Sequence, residues 1–282
     1  MSTATAKALP ATGIVSEQEI QQFWRDGAVC LRGVFDDGWL NRLRPAADRV
    51  VAGRGTSGRM EFTAQGKGGR FVSDLFLWRE EPDIRAFILQ SPAAAVAGQL
   101  LRSNKINFLF DHLLVKEPGT SNPTKWHQDL PHWPIHGNQV LTIWVALDPV
   151  TMQTGAVEYV KGSHLWNERY RPVLPDTPEG RRMMNADLPE CPPIHKQREK
   201  YEILGWELQP GDCVAFHSLT IHGAGGNQSA TVRRRGLATR WTGDDITFLS
   251  GDFVLKLPED PGLKAGDPLD SELFPVVWRR SC

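Results

Sequence analysis

Ile106-Asn107-Phe108-Leu109-Phe110-Asp111-His112-Leu113-Leu114-Val115-Lys116 divides the chain into two kinds of sequence. It reads as the first long strand of a series. Further candidate strands follow at 140–148, 156–160, 204–209, 212–217 and 233–241, punctuated by Pro, Gly and Asn. Many short strands separated by turn signals point to a sandwich or barrel. Upstream of Ile106 the patterns are mostly helical. Ser16-Glu17-Gln18-Glu19 is a capping box, and the helix it opens carries Ile20, Phe23 and Trp24 on one face before Gly27 stops it. Ala28 to Phe35 reads as a strand. Asp36 or Asp37 caps a second helix to about Val51, and Glu81 to Leu101 reads as helix interrupted at Ser91-Pro92. The expectation is a mainly β fold with flanking helices packed on one outer face of the strands.

Three stretches carry little periodicity. Residues 1–13 are small and polar, which predicts a loose N-terminal segment. Residues 53–70 hold Gly53, Gly55, Gly58, Gly66, Gly68 and Gly69, and read as a mobile loop able to close over a site. Residues 166–200 are rich in Pro and charge, and read as a long insertion between strands. The length of 282 residues suits one domain spanning 1–282.

Hydrophobic residues make up 40% and charged residues 23% of the chain, as in an ordinary globular protein. A net charge of −1 gives no electrostatic case for nucleic acid or an anionic membrane as partner. The first residues lack the apolar run of a signal peptide, and no apolar stretch is long enough to span a bilayer. Cys30, Cys191, Cys213 and Cys282 are scattered, which predicts free thiols and a cytoplasmic location. The ten tryptophans serve core packing first, with lining of an apolar pocket as the other use.

Trp126-His127-Gln128-Asp129 carries the candidate chemistry. A His-x-Asp pair at a strand end or tight loop offers one imidazole and one carboxylate to a metal. A distant histidine can close one face of an octahedron and leave the other positions to a co-substrate and O2, as in non-haem Fe(II) oxygenases. On a strand, His127 and Asp129 would point to the same face. His217 and His222 compete as the third ligand: the first ends a strand, and the second precedes a glycine-rich turn. His132 and His136 belong to a proline-flanked loop at a pocket mouth, His164 is structural, and His195 has no supporting neighbours. No cysteine is grouped with these residues, whereas structural zinc normally takes four ligands, often Cys. In Val232-Arg233-Arg234-Arg235, an arginine one strand beyond the distal ligand can hold a dicarboxylate. Arg233 and Arg235 share a strand face by alternation, and Arg234 points the other way.

These residues give the chain a wider resemblance. It resembles the phytanoyl-CoA dioxygenase family of Fe(II)/2-oxoglutarate oxygenases through Leu113-Leu114-Val115-Lys116-Glu117-Pro118-Gly119, through Trp126 to Asp129 with Trp133, and through Ile143-Trp144-Val145-Ala146-Leu147-Asp148. Gly155 through Val160-Lys161-Gly162-Ser163-His164, then Gly211-Asp212, His222-Gly223 and Asn227, complete the pattern. The resemblance implies a double-stranded β-helix, or jelly roll, with a cupin-like core. It implies iron ligands at His127, Asp129 and His222. It implies co-substrate contacts from Arg233, eleven residues after His222, and from Trp144. It extends these to His112, where relatives often carry glutamine, and to Arg70, matching a basic residue upstream of the core. Ala224 departs from the serine common two residues after the distal histidine. Asp129 is present where halogenating relatives lack a carboxylate, which implies hydroxylation or another oxidation.

The implied cofactors are Fe(II), 2-oxoglutarate and O2, and the implied reaction oxidises an unactivated C–H of a small organic molecule with release of succinate and CO2. Natural-product intermediates and acyl compounds are the substrate candidates. Phe62, Phe108, Phe110, Trp133 and Trp241 offer apolar walls, and no basic patch demands a CoA thioester. Two other readings stand beside this one. One is a non-catalytic jelly roll that binds metal or ligand. The other is a cupin-type oxygenase that uses no 2-oxo acid and needs no Arg233.

Overall fold

Capping comes first, and it behaves as its chemistry requires. In the computed structural model, which describes residues 14–56, 59–63, 69–174 and 178–280, Ser16 accepts from the Glu19 amide while the Glu19 carboxylate takes the Ser16 amide. Helix α1 (Glu17–Asp26) follows, and Gly27 ends it in the left-handed region at φ +82. Strand β1 (Ala28–Leu31) leads to α2 (Asp37–Val51), capped by Asp36.

The glycine-rich stretch is more ordered than its composition suggests. It holds β2 (Met60–Thr63), paired antiparallel with β3 (Arg70–Leu75). Phe62 lies opposite Phe71 with ring centroids 5.6 Å apart, a cross-strand pair that the surrounding glycines conceal in the sequence. The expected mobile loop is therefore in part a hairpin. Residues 57–58 and 64–68 of it lie outside the described residues, as does the loose segment 1–13. Helices α3 (Pro82–Gln90) and α4 (Ala93–Leu101) are separated at Ser91-Pro92, as expected. Among the described residues no single helix is long and apolar enough to cross a membrane.

The remaining strands are β4 (Lys105–Lys116), β5 (Thr124–His127), β6 (Ile135–His136), β7 (Val140–Ala146), β8 (Val157–Val160), β9 (Ile203–Gly205), β10 (Cys213–His217), β11 (His222–Ala224), β12 (Arg234–Thr242), β13 (Thr247–Phe248) and β14 (Val276–Arg279). A large sheet runs β1-β10-β7-β12-β4-β3-β2, with β14 also beside β4. A smaller sheet runs β5-β11-β8-β9, and β13 pairs with β6.

Alternation along the large sheet sorts its side chains into two layers. Leu141, Ile143 and Val145 of β7, with Leu237 and Trp241 of β12, join Phe23, Leu43, Phe87 and Leu100 of the helices in one apolar core. The intervening residues Trp144, Phe216 and Ala238, with His112 and Leu114 of β4, face the smaller sheet and line a cavity between the two. This is the double-stranded β-helix, with helices on its outer face. Phe108 and Trp241, expected as pocket walls, belong to the helix-side core: Trp241 falls on the outward alternate positions of β12, and Phe108 pairs with it beyond the register shift between β12 and β4, which breaks the alternation after Phe110. Phe110 and Trp133 do line the cavity.

Between β8 and β9 the chain takes the long excursion read from its composition. Among its described residues it carries α5 (Pro178–Arg182) and three single-turn helices, with 175–177 outside them. Arg182 donates to the carbonyls of Asp252 and Val254, so this excursion is tied to the segment between β13 and β14.

Candidate metal centre

The centre is built where the smaller sheet meets the turn after β5. Strand β11 lies between β5 and β8, and its register sets His222 opposite His127. Asp129 is not on the strand. Strand β5 ends at His127, and Asp129 takes helical backbone angles before the turn Leu130–His132. The amides of Asp129 and Leu130 both donate to the Ser218 carbonyl, which fixes that turn. The shared face expected from strand alternation is thus reached by a turn instead.

One ligand atom from each of His127, Asp129 and His222 lies within 4.8 Å of the others. Both imidazole Nε2 atoms approach the same carboxylate oxygen, at 3.4 Å from His127 and 3.9 Å from His222 to Asp129 Oδ1. The Nδ1 atoms face backbone carbonyls, of Lys125 at 2.7 Å and of Thr220 at 3.0 Å. A carbonyl only accepts, so each ring carries its proton on Nδ1 and turns the Nε2 lone pair toward Asp129. That is the tautomer a divalent metal needs, held by the outer hydrogen bonds typical of metal-bound histidine. The other carboxylate oxygen, Oδ2, is 3.4 Å from Thr142 Oγ1 and 3.8 Å from Arg240 Nη2, which leaves Oδ1 for a metal. Two neutral imidazoles and one carboxylate on one side, with no thiolate, fit Fe(II).

The electrostatics agree with the geometry. Burial pushes the Asp129 carboxyl up, but the imidazoles of His127 and His222 and the Arg240 guanidinium around it outweigh burial and hold the group well below the usual carboxylate range. Burial, with His127 alongside, pushes His222 down to about 4. His217, the other candidate, lies elsewhere. Its Nε2 donates to the Asn138 carbonyl, its Nδ1 accepts from the Leu219 amide, and its ring packs on Trp24 and His164. Burial pushes it down to about 4 from 6.5. An unfolded chain takes up this proton first as pH falls, so stability present above pH 6.5 is lost toward pH 4. Thermal melting should therefore fall across that window, and His217→Gln should flatten the fall. An equally steep fall in the variant would assign it to other groups.

Trp144 stands in the cavity wall with the Arg234 guanidinium over its ring at 5.4 Å. Arg234 is only 2% exposed and donates to the Gly155 carbonyl at 3.2 Å, while its Nε and Trp144 Nε1 are buried without partners. Burial pushes Arg234 down to about 10, so it stays charged at neutral pH. Gly236 permits the arrangement, since a Cβ there would lie 2.0 Å from Trp144 Cζ2.

Arg233, the arginine expected here, does not line the cavity. Its Nε pairs with Glu117 at 2.8 Å and its Nη1 with Asp48 at 2.7 Å on the outer face. The cause is strand parity. Arg234 opens β12 opposite Lys116, and Arg234, Ala238 and Arg240 all face inward. Arg233 falls with Arg235, which pairs outward with Asp148.

His112 lines the cavity: its Nδ1 faces Arg240 Nη2 at 3.4 Å, so its Nε2 donates to Ser73 Oγ at 2.6 Å. Burial holds it well below the ordinary histidine range. Arg70 is not brought to the cavity. Its side chain is 40% exposed beside Glu61, and Arg59 is the base that lines the cavity from that hairpin. Sequence reading also missed Thr142, Arg240 and two wall segments, Val173, Leu174 and Met183 from the excursion and Leu255 to Pro258 from beyond β13. Arg240 left one signal, a charged residue set within Leu237-Ala238-Thr239-Arg240-Trp241. The whole cavity measures about 760 Å³.

The sequence pattern of the phytanoyl-CoA dioxygenase (PhyH) family matches residues 23–236, which include His127, Asp129, His222 and Arg234. The chain belongs to the phytanoyl-CoA dioxygenase family. The chain is similar to dioxygenase aneA of Aspergillus aculeatus, 23% identical over 275 residues that cover 93% of this chain and 82% of that one. Among solved structures it is similar to SnoN, a non-heme α-ketoglutarate-dependent epimerase from nogalamycin biosynthesis, with TM-score 0.73, 23% identity and 94% and 96% of the two chains covered. SnoK, a carbocyclase from the same biosynthesis, gives TM-score 0.72 at 25% identity over 94% and 97%. The match to the phytanoyl-CoA dioxygenase family ends before Arg240.

Proposed function

We propose that the protein oxidises a C–H bond of a small, largely apolar organic molecule, with O2 and 2-oxoglutarate as co-substrates and Fe(II) held by His127, Asp129 and His222, and that it releases succinate and CO2. The convergence of two Nε2 lone pairs and one carboxylate oxygen at a 760 Å³ cavity that also buries Arg234 carries this reading. Bound Fe(II) supplies the activation of O2. The chain supplies position and surroundings. Lys125 and Thr220 fix the two rings, and Thr142 and Arg240 fix the outer oxygen of Asp129. Arg234 takes the far carboxylate of 2-oxoglutarate beside Trp144, and so does the work for which Ala224 lacks a hydroxyl. His112 offers a neutral imidazole to the same molecule. The apolar walls keep water from the reacting carbon.

Hydroxylation is the simplest outcome. The names epimerase and carbocyclase carried by SnoN and SnoK support a choice of outcome set by substrate pose. Those relatives favour a natural-product intermediate as substrate, and residues 1–282 acting as one catalytic domain. The test is an anaerobic titration of the metal-free protein with Fe(II) and 2-oxoglutarate. A weak visible charge-transfer band should appear only when both are present. Metal binding without that band would sink the co-substrate reading.

A further inference from the structure

Trp144 and Arg234 of the cavity wall serve the co-substrate reading, and Trp144 Nε1 and Arg234 Nε are buried without partners. His132 Nδ1 and Arg240 Nε are likewise buried without partners, and that reading uses neither. They flank one ring. His132 precedes Trp133 in the turn Leu130–His132, and the Arg240 guanidinium lies 5.6 Å over the Trp133 ring and 4.8 Å over Phe110. Among the described residues nothing hydrogen-bonds to either ring nitrogen of His132; Nδ1 is closed off, and Nε2 is the nitrogen that the ring, which borders the cavity, leaves open to a ligand. Its backbone is fixed, with the carbonyl accepting from the Leu255 amide at 2.7 Å. The backbone that carries the ring is thereby held three residues after Asp129. A polar nitrogen with no protein partner at an apolar cavity wall is matched when a ligand supplies one.

We propose that His132, with the Arg240 charge beside it, hydrogen-bonds a hydroxyl or carbonyl oxygen on an otherwise apolar ring-sized substrate and so sets which C–H faces the metal centre. Burial pushes His132 down to about 4, so the ring is neutral at pH 7 with an N–H to donate. The cation beside it selects an oxygen acceptor and disfavours an amine. Phe110, Trp133, Leu255 and Leu257 give the rest of that end an apolar lining. This positioning role rests on the cavity being the substrate site of the proposed function.

The probes are 2-tetralol and tetralin, bicyclic molecules that differ by one hydroxyl. Their binding to the full chain is measured by calorimetry, both metal-free and anaerobically with Fe(II) and 2-oxoglutarate. The alcohol should bind about tenfold tighter than the hydrocarbon, because a site built for a hydroxyl rejects the analogue without it. His132→Phe should bring the ratio to within about twofold, and His132→Gln should keep several-fold of it. A ratio near one in the parent, an unchanged ratio in His132→Phe, or no binding of either probe would overturn the proposal. The charge-transfer band is read in parallel in each variant. Loss of the band in the parent with the ratio intact would overturn the co-substrate reading and leave His132 in its role.

Discussion

Arg234→Ala raises the 2-oxoglutarate concentration needed for half-formation of the anaerobic Fe(II) complex by about 10- to 100-fold, the worth of one charge-assisted hydrogen bond of about 1.5–3 kcal/mol. Arg233→Ala leaves it within about twofold, since a half-exposed ion pair on the outer face contributes little. The two arginines are neighbours in sequence and carry the same charge, so composition and net field are controlled in the comparison. Only the face of β12 differs. Arg234 sits inside with Trp144, and Arg233 sits outside with Glu117 and Asp48. Titration of the charge-transfer band in each variant decides the matter. An equal shift in both, or a larger one in Arg233→Ala, would reverse the assignment.

Asp129→Ala is expected to lose well over about 100-fold in metal affinity, beyond the 10–100-fold that outer hydrogen-bond partners of a metal ligand typically cost. Two effects combine. The only carboxylate of the three-residue cluster disappears, and the positive charge of Arg240 then faces the two imidazoles without its nearest opposing group. Thermal melting reads this without turnover. Saturating Mn(II) should raise the melting temperature of the parent, by the equivalent of about 2.7 kcal/mol at a hundred times Kd, and should leave Asp129→Ala unmoved. The same metal-dependent rise in the variant would place the ligand set elsewhere.

Much of the fold was legible because its signals are local. The Ser16–Glu19 box, Gly27 and the break at Ser91-Pro92 each act within a turn, and each stands where it was read. His127, Asp129 and His222 were legible for a different reason: the His-x-Asp pair alone left His217 and His222 both open, the family resemblance chose His222, and the fold brings these three together. What escaped depends on register. A one-residue slip in where β12 begins exchanges every inward and outward side chain, and the sequence alone does not print that start. Arg234 was therefore assigned outward and Arg233 inward. Trp241 was misplaced by the same ambiguity, and Phe108 by the register shift between β12 and β4, which no sequence pattern announces. Strand β2 was hidden by the glycines around it, and the wall residues 255–258 by the absence of any periodicity there.

The residues that face the candidate centre and many of those that shape the space above it come from separate parts of the chain. His127 and His222 stand on paired strands, with Asp129 in the turn that follows, whereas Val173, Leu174, Met183, Leu255 and Leu257 come from two long excursions clasped through Arg182. Loops tolerate exchange and strands do not. A lineage can therefore rewrite what this protein admits by altering two segments, and leave its reactive core untouched through the change.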